Sequence, residues 1–201
     1  MIFSERYMEN VSLKLTSHLK DTFTDDEFYE FCQMNRELKF ERDKSGNILL
    51  MALTGGKTGR RNTKIISRLD AWAEQSGSGL VFDSSTGFKL PNQSFRSPDA
   101  SWISFSTWNK LTEQEKEKYP PICPEFVVEL MSDSDSLKEA KKKMEEYMEN
   151  GCQLAWLILP KTEEIYVYGK NKPIVIVKGF DKIISGNPVL IGFEFDTSVL
   201  K

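Results

Sequence analysis

The chain has 201 residues, of which 39% are hydrophobic and 28% charged. This suits one globular domain and excludes disordered, collagen-like and disulfide-scaffold architectures for the whole chain. Lys and Arg number 27 against 30 Asp and Glu, for a net charge of −3, which argues against a generic polybasic nucleic-acid binder but leaves room for local basic surface.

Val11, Leu13 and Leu15 alternate with Ser12 and Lys14, the period of a half-buried strand, within an N-terminal extension expected over residues 1–23. Thr24 with Asp25, Asp26 and Glu27 predicts an N-cap followed by an acid three residues on, and Phe28, Phe31 and Cys32 carry a helix to about Asn35. Strands over residues 38–42 and 48–53 flank a Ser, Gly and Asn-rich hairpin turn at 43–47. A loop at 54–59 precedes an amphipathic helix over 60–75, where Ile65, Leu69, Trp72 and Ala73 share a stripe, and Gly77-Ser78-Gly79 stops it.

Extended segments are expected at 80–83, 87–90 and 99–105, then a polar helical insert at 112–119 ended by Pro120-Pro121. Residues 125–131 read as a buried strand, 136–150 as a second amphipathic helix stopped by Gly151, and 154–159, 163–168 and 173–177 as further strands. The succession of helices and strands predicts an α/β protein with a mixed sheet covered by helices.

The run Gly55-Gly56-Lys57-Thr58-Gly59 looks like a phosphate loop, but the position five before Gly56 is Met51 rather than glycine, so no NTPase is expected. It reads as a flexible loop ahead of a helix, or as an anion-contacting loop beside a cleft. Lys57, Arg60, Arg61, Lys64 and Arg68 share one helical stripe. A solvated face accounts for them, as does phosphate contact, which needs clustered cations and no particular base.

Asp99 follows Ser97-Pro98 at the start of a strand, and Glu129 sits within the apolar run Phe126-Val127-Val128-Glu129-Leu130-Met131. An unpaired buried carboxylate costs several kcal/mol or takes up a proton, and either a salt bridge or a metal ion removes that cost. On adjacent strands the two acids would form a hard, oxygen-rich site suited to Mg²⁺ or Mn²⁺. In the helix that follows, Lys138 and Lys142 read as solvent residues. Lys141 and Lys143 flank the stripe of Leu137, Ala140, Met144, Tyr147 and Met148, so either can bend toward a strand-end cleft and orient an attacking water.

Cys32, Cys123 and Cys152 form no zinc-type spacing and suggest a reducing compartment. The only histidine is His18, so histidine-based nucleophilic catalysis would rest on that residue alone. With no signal-peptide pattern and no long apolar stretch, a cytoplasmic protein without membrane contact is expected.

The ordered motifs Phe40-Glu41-Arg42, Asp83-Ser84-Ser85-Thr86-Gly87-Phe88, Arg96-Ser97-Pro98-Asp99, Glu125 to Ser132, Lys143-Met144-Glu145-Glu146-Tyr147, Gly151 to Trp156 and Ser185 to Leu190 resemble the bacterial Uma-two restriction endonuclease family of the PD-(D/E)XK nuclease superfamily. The resemblance implies a restriction-endonuclease-like mixed β-sheet flanked by helices over residues 24–200, with additional N-terminal and C-terminal strands. It implies that Asp99 and Glu129 carry the metal. The superfamily's lysine position, two residues after the strand acid, is Met131 here, and the family pattern takes the lysine from the next helix, four before the tyrosine, which selects Lys143. Glu41 matches an early hairpin acid and is a third candidate for the metal site or its surroundings. Relatives have His at Asn62, Glu and Asp at Leu154 and Leu159, and often Pro at Ile191.

The resulting expectation is a Mg²⁺- or Mn²⁺-dependent endonuclease acting on DNA, a homodimer by analogy with enzymes that cut two strands. Asp99, Glu129, Lys143 and Glu41 would be catalytic, and Lys57, Arg60, Arg61 and Lys64 would contact phosphates. The alternatives are a nuclease fold serving as a nucleic-acid or protein interaction module, and a structural homodimer joined through its hairpins.

Overall fold

The computed structural model describes residues 23–133 and 135–201, so the strand expected around Leu13 lies outside the described residues. Thr24 caps helix α1 (Asp25–Met34) through a capping box with Glu27, and Phe28 and Phe31 are its buried residues. The hairpin β1 (Lys39–Arg42) and β2 (Ile48–Met51) follows with Phe40 opposite Leu50. Arg42 joins these pieces: it donates to Asp25 Oδ1 at 2.5 Å and to the Phe23 carbonyl at 2.7 Å, and its guanidinium lies 4.4 Å from the Phe95 ring centroid.

Helix α2 (Gly56–Ser76) begins four residues before the expected start at Arg60 and takes Gly56, Lys57 and Gly59 into its first turns. Glycine disfavours a helix interior by about 1 kcal/mol relative to alanine. Once the long apolar stripe of Ile65, Leu69 and Ala73 is packed, adding turns needs no new nucleus, and the helix extends through the glycines. Its end is as read, with Gly77 in the left-handed conformation that glycine adopts without strain.

Next come β3 (Gly79–Asp83), β4 (Phe88–Lys89), β5 (Phe95–Arg96) and β6 (Ala100–Ser104). Two short helices, α3 (Phe105–Trp108) and α4 (Glu113–Glu117), lead to β7 (Phe126–Leu130). Helix α5 (Leu137–Glu149), β8 (Leu154–Leu159), β9 (Glu164–Gly169) and β10 (Val175–Lys178) follow. The chain closes with β11 (Ile183–Ser185), β12 (Glu194–Asp196) and a 3₁₀ turn, Thr197–Leu200. Strands β5, β11 and β12 and helix α3 escape the sequence patterns because two to four residues carry no period.

The larger sheet has the order β10-β9-β8-β7-β6-β3, the smaller β2-β1-β5-β4, and β11 pairs with β12 in a separate two-stranded ribbon. Only β7 and β8 are parallel in the larger sheet, and α5 supplies the crossover such a pair requires. Along β7 the side chains alternate: Phe126, Val128 and Leu130 join the core under α2 and the C-terminal segment, and Val127 joins the core under α5. Glu129 falls on the α5 side of that alternation. A third cluster of Phe28, Phe31 and Phe95 holds α1 against the smaller sheet. Among the described residues no helix is long and apolar enough to cross a membrane.

Gly79 is the tightest backbone contact in this frame: a Cβ there would meet the Ile103 carbonyl oxygen and come within 2.7 Å of the Trp102 indole. Gly79→Ala should lower stability by about 2 kcal/mol, as expected for overpacking, measured as a shifted midpoint in urea denaturation.

Candidate active site

Antiparallel pairing of β6 with β7 sets Ala100 opposite Val128, which brings Asp99 and Glu129 to the same end of neighbouring strands. Asp99 Oδ2 accepts the backbone N–H of Leu130 at 2.8 Å, and its Oδ1 accepts Asn62 Nδ2 of α2 at 3.3 Å. Glu129 Oε1 lies 2.8 Å from Lys143 Nζ and accepts the Tyr147 hydroxyl at 3.0 Å. Lys143 and Tyr147, one helical turn apart on α5, thus converge on one carboxylate oxygen.

Lys143 also donates to Glu41 Oε1 at 2.9 Å, so its ammonium bridges two acids from two different sheets. Glu41 is 2% exposed and fully engaged: Oε1 also accepts the Ser97 N–H at 3.0 Å, and Oε2 accepts Arg96 NH1 at 3.1 Å. Arg96 in turn donates from Nε to Glu146 Oε2 at 2.6 Å, and Asn92 Nδ2 holds the other oxygen of Glu146 at 2.8 Å. Glu41 therefore anchors the lysine, and its oxygens are already committed to protein donors.

The electrostatics follow from this crowding. Burial pushes Glu129 up to about 7, and the charges of Asp99 and Glu41 add to the rise against the opposing pull of Lys143. Burial alone would lower Lys143, but Glu129 and Glu41 outweigh it and hold the ammonium above its ordinary pKa. Burial likewise opposes ionisation of Glu41, yet Lys143 and Arg96 keep its carboxyl below the usual value.

A divalent cation fits the oxygen atoms left over. Both protein donors to Glu129 fall on Oε1. Asn62 Oδ1, on the amide whose nitrogen holds Asp99, is buried and accepts no hydrogen bond. No group of three Asp, Glu, His or Cys side chains is arranged as a metal cage among the described residues. Two carboxylates supplemented by water are the usual protein contribution for Mg²⁺, which dehydrates reluctantly.

Asp99, Glu129, Lys143 and Glu41 are thus brought together. Of the two lysines at the edges of the stripe, Lys141 lies over the Tyr166 ring at 4.6 Å, and only Lys143 joins the acids. The basic stripe of α2 is placed elsewhere: at about 100° per residue, Lys57, Arg60 and Lys64 lie roughly 140–160° around the helix from Asn62. Arg61 donates from Nε to the Leu200 carbonyl at 2.6 Å. Leu154 pairs with Phe126, three levels along the sheet from Glu129, which pairs with Leu157, and Leu154 and Leu159 both belong to the apolar cores.

Sequence reasoning did not assign a role to Arg96, Glu146 or Tyr147, although each stands within the motif runs, nor to Lys39, two residues before Glu41. Period-2 spacing from Glu41 is the signal that could have found Lys39.

A mixed sheet flanked by helices, with two acids and a lysine at the end of adjacent central strands, defines the restriction-endonuclease-like class of α/β fold. The Uma2 family model, described as "Putative restriction endonuclease", matches residues 25–198, and the chain belongs to that family. The crystal structure of a "putative nuclease belonging to DUF820" from Anabaena variabilis superposes with a TM-score of 0.69 at 18% identity, covering 82% of this chain and 90% of that one. No curated protein matches the chain significantly.

Removing the Glu41 charge should destabilise the fold. Glu41→Gln leaves Lys143 and Arg96 short of a buried partner, a loss of about 3 kcal/mol at neutral pH. A folded pKa below the ordinary 4.5 means this contribution is present above that value and lost as pH falls through the lowered one. Urea titrations should therefore show the gap between wild type and variant narrowing below about pH 4.5.

Proposed function

We propose that this protein is an endonuclease that hydrolyses DNA phosphodiester bonds with Mg²⁺ or Mn²⁺ held by Asp99 and Glu129. The observation that carries this reading is the Asp99 and Glu129 pair on adjacent strands with the Lys143 ammonium fixed at Glu129. Membership of a family described as restriction endonucleases supports DNA as the substrate class. When bound, the cation supplies charge stabilisation for the phosphoryl oxygens and lowers the pKa of the attacking water.

The chain's own residues do the positioning. An ammonium has three N–H groups; Lys143 directs two at Glu41 and Glu129, and the third is available to hold the attacking water or a phosphate oxygen. Because the neighbouring acids keep Lys143 protonated, it orients and does not abstract a proton. Tyr147 and Lys143 together restrain Glu129 through Oε1, which leaves Oε2 for the cation.

Lys57, Arg60, Arg61 and Lys64 are assigned to phosphates away from the scissile one, since clustered cations suit backbone contact and three of the four lie on the side of α2 away from Asn62. A homodimer is the arrangement that gives two sites for two strands. The unpaired state of Cys32, Cys123 and Cys152 suits a cytoplasmic setting.

Calorimetric titration with Mn²⁺ and Mg²⁺ should show binding to wild type and none to Glu129→Gln, and Asp99→Ala should cut DNA at least about 1,000-fold more slowly. Cleavage by Asp99→Ala at the wild-type rate would sink the assignment. No cation binding to wild type, even with DNA present, would favour the interaction-module reading. Tyr147→Phe, which frees Glu129 to rotate, should weaken Mn²⁺ binding about tenfold while leaving the fold intact, checked by calorimetry and thermal melting.

A further inference from the structure

The basic stripe of α2 faces away from the acids, so a phosphate contact at the site beyond Lys143 has to come from another element. Lys39 lies two residues before Glu41 on β1, and side chains two apart on a strand leave the same face about 7 Å apart. The inward direction of that face is set by Glu41, which is held by Ser97, Arg96 and Lys143. The Lys39 residue is half-buried, and its side chain makes no ion pair or hydrogen bond among the described residues. The charges that act on it are, in falling order, Asp99, Lys143, Glu41 and Glu129.

The geometry points to Lys39 as a substrate contact that binds a non-bridging oxygen of the scissile phosphate beside Asp99. This rests on the nuclease reading above and names the residue through which the site takes its anion.

Three observations support it. The Lys39 ammonium has no protein partner among the described residues and so is available to a ligand, whereas Arg96 is bonded to Glu41 and Glu146, and Lys143 to Glu41 and Glu129. The charge balance also fits: with Glu129 ionised, as a bound cation would keep it, Glu41, Asp99, Glu129 and Glu146 are set against Lys39, Arg96 and Lys143, a deficit of one positive charge. A dication turns the deficit into an excess of one, which one phosphodiester neutralises. Finally, a bound dication competes for Asp99, the acid with the strongest hold on Lys39, and so leaves the lysine free for an anion.

The test compares wild type with Lys39→Ala, Lys39→Gln and Lys39→Arg on a fluorescein-labelled DNA duplex. Binding is measured with Ca²⁺ by anisotropy across about 50 to 200 mM KCl, and cleavage with Mg²⁺. Loss of one phosphate contact lowers the slope of log affinity against log salt by about 0.9. The expected result is that loss for Ala and Gln, restoration by Arg, a 10- to 100-fold fall in cleavage (about 1.4 to 2.7 kcal/mol), and Mn²⁺ affinity and melting temperature close to wild type.

Wild-type slope and cleavage in Lys39→Ala or Lys39→Gln, with wild type active, would overturn this inference alone. So would a lowered melting temperature with an unchanged salt slope, which marks a structural lysine. A wild-type protein that neither binds nor cuts DNA would overturn the nuclease reading and this inference together.

Discussion

A single ammonium group, Lys143 Nζ, holds the two sheets and the crossover helix in register at the site. It sits 2.9 Å from Glu41 on the smaller sheet and 2.8 Å from Glu129 on the larger one, and it belongs to α5, which packs on the larger sheet. Without it, two buried carboxylates would lose their shared counter-charge, and one would take up a proton or the fold would lose several kcal/mol. The Arg96 guanidinium repeats the device one layer out, between Glu41 and Glu146. Alternating charges thus tie α5 to both sheets through Lys143 and Glu146.

That framework divides labour among the acids. Glu41 and Glu146 have every oxygen satisfied by protein donors, which makes them structural charges. Glu129 is held through Oε1, and Asp99 is fixed by the Leu130 N–H and the Asn62 amide. Burial and its acidic neighbours raise the Glu129 pKa, so an added positive charge would be favoured there. Tyr147 belongs to the same arrangement: it is 1% exposed and spends its hydroxyl on Glu129, so its ring fills the core beneath α5 while its polar tip serves the site.

Asn62 Oδ1, on the amide that holds Asp99, is buried without a protein partner, whereas buried polar groups normally have one. Ser101 Oγ, Trp102 Nε1, Trp156 Nε1 and the Tyr168 hydroxyl are likewise buried and unpartnered among the described residues, so what distinguishes the Asn62 oxygen is its place beside the acid pair.

Much of this was legible along the chain wherever a period or a cap repeats. The Thr24 and Glu27 box, the α2 and α5 stripes, the Gly77 stop and the apolar run around Glu129 all appear as local patterns, and local backbone and desolvation physics require them. Asp99 and Glu129 were legible as acids entering strands, because a carboxylate in an apolar run must have a partner. What only tertiary structure decided is which partner each group meets. Helical angles left Lys141 and Lys143 equivalent, and the packing angle of α5 sends one to Tyr166 and the other to the acids. The α2 stripe read equally as a solvated face or as phosphate contacts, and packing turns the Asn62 side of the helix, and not its cations, toward Asp99. Glu41, Arg96 and Glu146 come from separate elements, and their convergence depends on strand pairings, such as Arg42 with Phe95, that are closed by long-range burial and leave no periodic trace in the chain.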